Sequence, residues 1–198
     1  MIIRYSTFAA LALAASMLGQ QAQTNATANF KEPTLPVIDY NACPFEGCTF
    51  GNWKVTKESK MYSSWQEGRT EIGSVQPGSE VAGITGVHIT RKPDRILVPK
   101  PVPDIGAQSG DVILRYMYLG EGFANVWIKG RWHKAYDCSF VTERDNEGCL
   151  RDCSTVVAEY GVKEWWVKIN PHDNKIGWVL VEDNFDGMDS LAGLNSGY

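Results

Sequence analysis

The sequence predicts a mainly β fold, and three observations carry that expectation. The 198-residue chain holds 19 Gly, 7 Trp and 8 Tyr, a composition that suits pleated, half-buried strands and tight turns. Its apolar residues alternate in short runs, with few long stretches at helical spacing. Between the runs lie clusters of Gly, Pro, Asn and Asp that read as turns.

The chain opens Met1-Ile2-Ile3-Arg4, followed by Phe8-Ala9-Ala10-Leu11-Ala12-Leu13-Ala14-Ala15. A single positive charge, a short apolar run and then small polar residues predict a secretory signal peptide over 1–28, closed by Ala26-Thr27-Ala28. The run falls short of the about 20 apolar residues that span a bilayer. No cysteine lies near the cut to take a lipid, so the expectation is a secreted or periplasmic chain without a membrane anchor. Cleavage removes Arg4 and takes the net charge from −4 to about −5. That balance argues against nucleic acid or anionic membrane as a partner, since both select for concentrated Lys and Arg.

Residues 29–52 read as a Pro-containing linker and then a strap, Val37-Ile38-Asp39-Tyr40, that leads into a loop bracketed by Cys43 and Cys48. Strands are expected at Trp53-Lys54-Val55, at Lys60-Met61-Tyr62, and on both sides of the Pro77-Gly78 turn, where Pro fixes one φ and Gly accepts a positive one. Residues 63–70 form a polar loop that carries Trp65. Residues 91–109 contain four prolines, including Pro99-Lys100-Pro101-Val102-Pro103, and read as a long surface loop or polyproline segment. Val112-Ile113-Leu114-Arg115-Tyr116-Met117-Tyr118-Leu119 is a strand, and residues 123–136 a hairpin turning at Gly130. Alternation places Val126 and Ile128 on one face and Asn125, Trp127 and Lys129 on the other. One short helix is expected around Cys149 and Cys153, and residues 185–198 read as a flexible Gly-, Ser- and Asp-rich tail.

The closing pair is Trp165-Trp166-Val167-Lys168-Ile169 and Ile176-Gly177-Trp178-Val179-Leu180-Val181, joined by a turn over 170–175. Trp165, Val167 and Ile169 share a core face, while Glu164, Trp166 and Lys168 share the other. Trp166 is therefore a large ring on a face that otherwise carries charge. Trp127 repeats that placement.

Two pieces resemble the bacterial SH3-like (SH3b, SH3 type 3) domains. Ile72-Gly73-Ser74-Val75 with Gly78 and Val81 is similar to their central strand–turn–strand, and Trp166-Val167-Lys168-Ile169 followed by Gly177-Trp178-Val179 to their closing hairpin. The resemblance covers about 53–90 and 164–181 and implies a small, strongly bent SH3-like β-barrel over 53–184, elaborated by an insertion at about 91–163. The alternative is two SH3-like barrels, the second over 111–181. It implies no chemistry of its own and binding of a cell-wall peptide or an envelope protein.

The side chains that fit this reading are Trp127, Trp166 and Trp65, with Lys129 and Lys168 beside the first two. An aromatic body held on a rigid strand stacks on a sugar ring, a proline or a partner surface. The rival reading is an inhibitor or assembly factor that presents the Pro-rich loop. A thiol hydrolase would need Cys138 beside His133 with its pKa lowered. The pattern supplies neither a complete catalytic set nor a cofactor or metal site, for the acidic run Asp183, Asp186 and Asp189 lacks the ligand spacing of a calcium loop. The five cysteines predict a Cys43–Cys48 bridge and a second between two of Cys138, Cys149 and Cys153.

Overall fold

In the computed structural model, which describes residues 30–139, 141, 156–172 and 175–192, the alternating runs become antiparallel strands of two sheets. In chain order these are β1 (Val37–Tyr40), β2 (Asn52–Val55), β3 (Ser59–Tyr62), β4 (Glu71–Val75), β5 (Glu80–Lys92), β6 (Asp94–Leu97), β7 (Val112–Gly120), β8 (Phe123–Ile128), β9 (Arg131–Asp137), β10 (Val156–Glu159), β11 (Val162–Asn170), β12 (Gly177–Val181) and β13 (Phe185–Asp186). No α-helix occurs among the described residues; Pro103–Ile105 is a 3-10 turn. The signal peptide at 1–28, Cys149 and Cys153 with the helix expected around them, and the end of the tail lie outside the described residues.

The first sheet runs β13-β2-β5-β11-β12-β3-β4, with β1 added to β5. Its organiser is β5, long enough to pair with β2 near Val81 and with β1 near His88 along one edge while β11 follows it along the other. Trp53, Met61, Trp165, Val167, Ile169 and Val179 fill the inside of this curled sheet. The strap crosses β5 at Gly86, where Ala42 N donates to Gly86 O at 3.0 Å and the Trp165 indole N–H donates to Ala42 O at 2.9 Å. A Cβ on Gly86 would stand 2.3 Å from Ala42 O, so a side chain there would push the strap away. The Cys43–Cys48 disulfide closes the loop that follows.

The second sheet runs β10-β6-β7-β8-β9. Lys129 and Gly130, with φ of 46° and 81°, make the two-residue turn between β8 and β9. Ile96, Val98, Ile113, Val126, Ile128 and Val157 form its own core.

Two expectations need correction here. The Pro-rich residues 91–109 are no free surface loop: β5 runs to Lys92, β6 begins at Asp94, and Val98, Ile105 and Ala107 are buried in the second core. The prolines are accommodated because Pro93 falls between strands and Pro99, Pro101 and Pro103 fall after β6, so no ladder loses a donor. The tail is tied through residue 192, with Phe185 buried and paired to Val55 and with Thr49 N donating to Met188 O at 2.8 Å. Two apolar anchors in a Gly- and Asp-rich stretch suffice to hold it. The linker stays largely exposed, touching the second sheet through Glu32, 3.8 Å from Arg95, and through the Phe30 ring beside Gly130.

The sheets meet through polar groups. Buried Asp94 of β6 accepts from Arg115 Nε of β7 at 2.8 Å, from Lys163 Nζ of β11 at 2.5 Å and from Gly161 N at 2.8 Å. Nearby, Thr90 Oγ1 donates to Tyr116 O at 3.3 Å. His88 is buried next to this junction, and its pKa is pushed down to about 4 by burial and by the Lys163 charge, against a pull upward from Asp94. In the unfolded chain the imidazole takes its proton near pH 6.5; in the folded chain it resists until about pH 4. Between those values the unfolded state binds more protons, so stability rises with pH across the window and falls on acidification. The difference is about 3 kcal/mol. Guanidinium unfolding midpoints from pH 7 to pH 4 should show it, and His88→Gln should flatten that slope.

Candidate functional site

Strand alternation builds the site. On β1, Ile38 and Tyr40 point away from the inside of the first sheet, and their register partners on β5 are Ile89 and Val87. Val87, Ile89 and Trp166 form a small third core on this face, with Ile38, Tyr62, Trp65 and Trp178 packed against it. The loop between β3 and β4 covers the cluster. Ser63 N donates to Thr70 O at 2.9 Å to close the loop, and the Arg69 guanidinium lies 4.2 Å from the Trp166 ring centroid and 5.4 Å from that of Tyr62. Arg69 Nη1 also donates to Trp65 O at 3.4 Å and to Gln66 O at 3.2 Å, which fixes where Trp65 sits.

The consequence for Trp166 is a correction. It stands on the face that alternation assigned, yet it is 2% exposed and its indole N–H donates to Glu164 Oε2 at 2.8 Å. Trp166 is packed in the third core with Ile89 and Trp65 and is not among the side chains that line the groove.

Next to this core is a groove of about 420 Å3 with Pro36, Ile38, Trp65 and Ile89 in its walls and Glu67 and Arg91 on its rim. Trp65 is half-buried, and its ring meets Tyr40 edge-on at 6.0 Å with an interplanar angle of 75°. Tyr40 is 64% exposed, so this pair presents aromatic surface to solvent. Arg91 is oriented by Glu164, through Nε and through Nη2 at 3.4 Å, and by Glu67 at 3.3 Å. Burial alone would raise the Glu164 pKa, but Arg91 and the Trp166 N–H outweigh it and hold the carboxyl below its ordinary range. The rim is thus a fixed ion-pair chain beside an apolar trough.

Of the residues picked out by sequence, Trp65 alone lines this groove. Trp127 belongs to a separate cluster on the second sheet, 5.4 Å from Trp132, which in turn lies 4.6 Å from the Tyr116 ring at a tilt of 57° and carries Lys134 at 4.5 Å. Lys129 is drawn into structure, with Nζ 2.6 Å from Asp111 Oδ2 and 3.0 Å from Gly106 O. Lys168 is half-buried opposite Trp178 and does not border the groove. Sequence reasoning passed over Tyr40, Ile38 and Pro36, although the alternation of Ile38 and Tyr40 within the strap was visible.

A second cleft of about 470 Å3 lies between the disulfide loop and the β7–β8 turn, lined in part by Phe45, Glu46, Leu119, Glu121 and Phe123. It has no tryptophan in its walls. The thiol pairing weighed from sequence finds no support in the geometry: Cys138 is a buried free thiol whose pKa is pushed up to about 11 by burial, and His133 packs edge-on against Tyr136 at 5.9 Å. A nucleophilic thiol needs the opposite shift. Cys149 and Cys153, the other cysteines of the expected second bridge, lie outside the described residues. Asp183 pairs with Lys57, Asp189 Oδ1 accepts from Leu191 N at 2.7 Å, and no group that could hold a metal ion is found among the described residues.

No family model, no characterised protein and no solved structure matches this chain. The functional reading therefore has to come from the groove.

Proposed function

We propose that the protein is a secreted or periplasmic, non-catalytic binding module that holds a cell-envelope peptide, such as that of peptidoglycan, in the Trp65–Tyr40 groove. The observation that carries this reading is an apolar trough with a polar rim, walled in part by Trp65, whose partly exposed ring is met edge-on by exposed Tyr40. Such a trough takes the apolar part of an extended chain, and the rim offers an acceptor and a donor for its amides. The first sheet is read as an SH3-like barrel and the second as its insertion. Supporting this, β5 and β11 pair along their length while the strands between them, β6 to β10, hydrogen-bond in a sheet of their own.

A pull-down with insoluble peptidoglycan tests the reading. Trp65→Ala and Tyr40→Ala should each lower affinity about tenfold or more, since truncating an aromatic anchor typically costs over 1 kcal/mol. Trp127→Ala should bind as the parent does. Equal recovery of all four proteins, at low and at high salt, would remove the proposal.

A further inference from the structure

We propose that the cleft between the disulfide loop and the β7–β8 turn is a second binding site, one that takes a lysine side chain from a partner peptide. It is separate from the Trp65–Tyr40 groove, since no residue lines both.

At about 470 Å3 the cleft falls within the range of about 300–1,000 Å3 that ligand pockets occupy. Both of its walls are fastened. On one side the Cys43–Cys48 bridge closes the loop, Cys48 N donates to Phe45 O at 3.2 Å, and Gly47 O accepts from Ser190 N at 2.8 Å and from Ser190 Oγ at 2.9 Å. The Phe45 ring rests edge-on against Trp165 at 5.6 Å, which anchors this wall on the first core. On the other side Gly122 N donates to Tyr118 Oη at 3.1 Å, and Gly122 O accepts from Cys138 N at 2.8 Å. The walls meet at Gly120, where a Cβ would stand 3.0 Å from Glu46 Cα. The cleft is therefore shaped before a ligand arrives, and binding orders little of the protein.

Phe45, Leu119 and Phe123 supply the apolar part of the lining, and Phe123 is 39% exposed. Glu46 and Glu121 supply its charge, one from each wall. Both are exposed, and neither carboxylate has an ion-pair partner among the described residues. The described lining also contains no Lys, Arg or His. In the Trp65–Tyr40 groove, by contrast, Glu67 and Glu164 are already paired with Arg91. The cleft thus offers negative charge without a counterion beside apolar rings, and a lysine side chain complements both. Its methylene stem packs on apolar surface while its ammonium stays at the polar edge. The ammonium is a compact charge whose N–H donors face acceptors on both walls at once, whereas the planar guanidinium of arginine best matches a single carboxylate. The net charge of −4 on the chain favours the approach of such a cation.

The test is an NMR titration of the full chain at low ionic strength with acetyl-Ala-Lys-Ala-amide. The control is the same peptide with norleucine in place of lysine, which keeps the apolar stem and removes the ammonium. The lysine peptide should shift the Glu46, Glu121 and Phe123 backbone amides saturably, and the norleucine peptide should not. Glu46→Gln and Glu121→Gln alter exposed side chains and should unfold at the parent's midpoint, yet each should weaken binding about tenfold, as loss of a hydrogen bond to a charged group does. Four results would overturn the site: no saturable shift, equal binding of the norleucine peptide, unchanged affinity in both Gln variants, or shifts spread equally to amides beside other exposed carboxylates such as Glu80 and Glu182.

Discussion

Asp94→Ala should lower the unfolding free energy by about 3–5 kcal/mol, the range found when one partner is removed from a buried ion pair. The carboxylate is 3% exposed and receives Arg115, Lys163 and the Gly161 amide. Burial by itself would raise its pKa, but Lys163, the Gly161 N–H and Arg115 more than compensate and hold it below the ordinary range. The group therefore contributes stability above its ordinary pKa of 3.8 and loses it as pH falls below that value. Alanine leaves two cations facing each other without the carboxylate they share. Lys163 belongs to the first sheet while Asp94 and Arg115 belong to the second, so the loss falls on the junction between them. Guanidinium unfolding should show the earlier midpoint. Hydrogen exchange should show β6 and the start of β11 opening first. A change under 1 kcal/mol would mean that the triad is solvated in solution.

The strands were legible wherever side chains alternate and a glycine turn follows. The strands β4 and β5 on either side of Pro77-Gly78 and the β8–β9 hairpin at Gly130 were read directly, although β4 pairs with β3 and not with β5. Strand β6 was missed because Pro93 and Pro99 bracket it, and proline density masked the Ile96 and Val98 that bury it in the second core. The buried end of the tail was missed for the same reason, its anchors Phe185 and Met188 being outnumbered by Gly and Asp. Alternation correctly assigned Trp166 to the face of Glu164 and Lys168. It could not say that a loop from residues 63–70, nearly a hundred positions away, folds over that face and is fastened by Arg69. The groove was illegible for a related reason: its walls come from the strap, from β5 and from that same loop, and no local pattern joins the three.

Trp166→Ala should cost about 3–5 kcal/mol, as expected for emptying a large buried aromatic site. Its ring packs with Val87, Ile89 and Tyr62, supports the Arg69 guanidinium and donates its N–H to Glu164, so truncation removes the packing behind the groove wall at Ile89 and the partner of the rim together. Trp65→Ala removes a ring that is half in solvent and should cost only about 1–2 kcal/mol. The two tryptophans thus separate stability from recognition. Trp166→Ala will also bind poorly, because Ile89 and the loop carrying Trp65 lose the ring they pack on, and that result alone would mimic a ligand contact. Trp166→Phe resolves the ambiguity: it keeps most of the buried apolar volume, so fold and binding should both survive. A Trp166→Phe protein with an unchanged unfolding midpoint but no binding would make Trp166 a ligand contact after all, and would require the loop carrying Arg69 to open in solution.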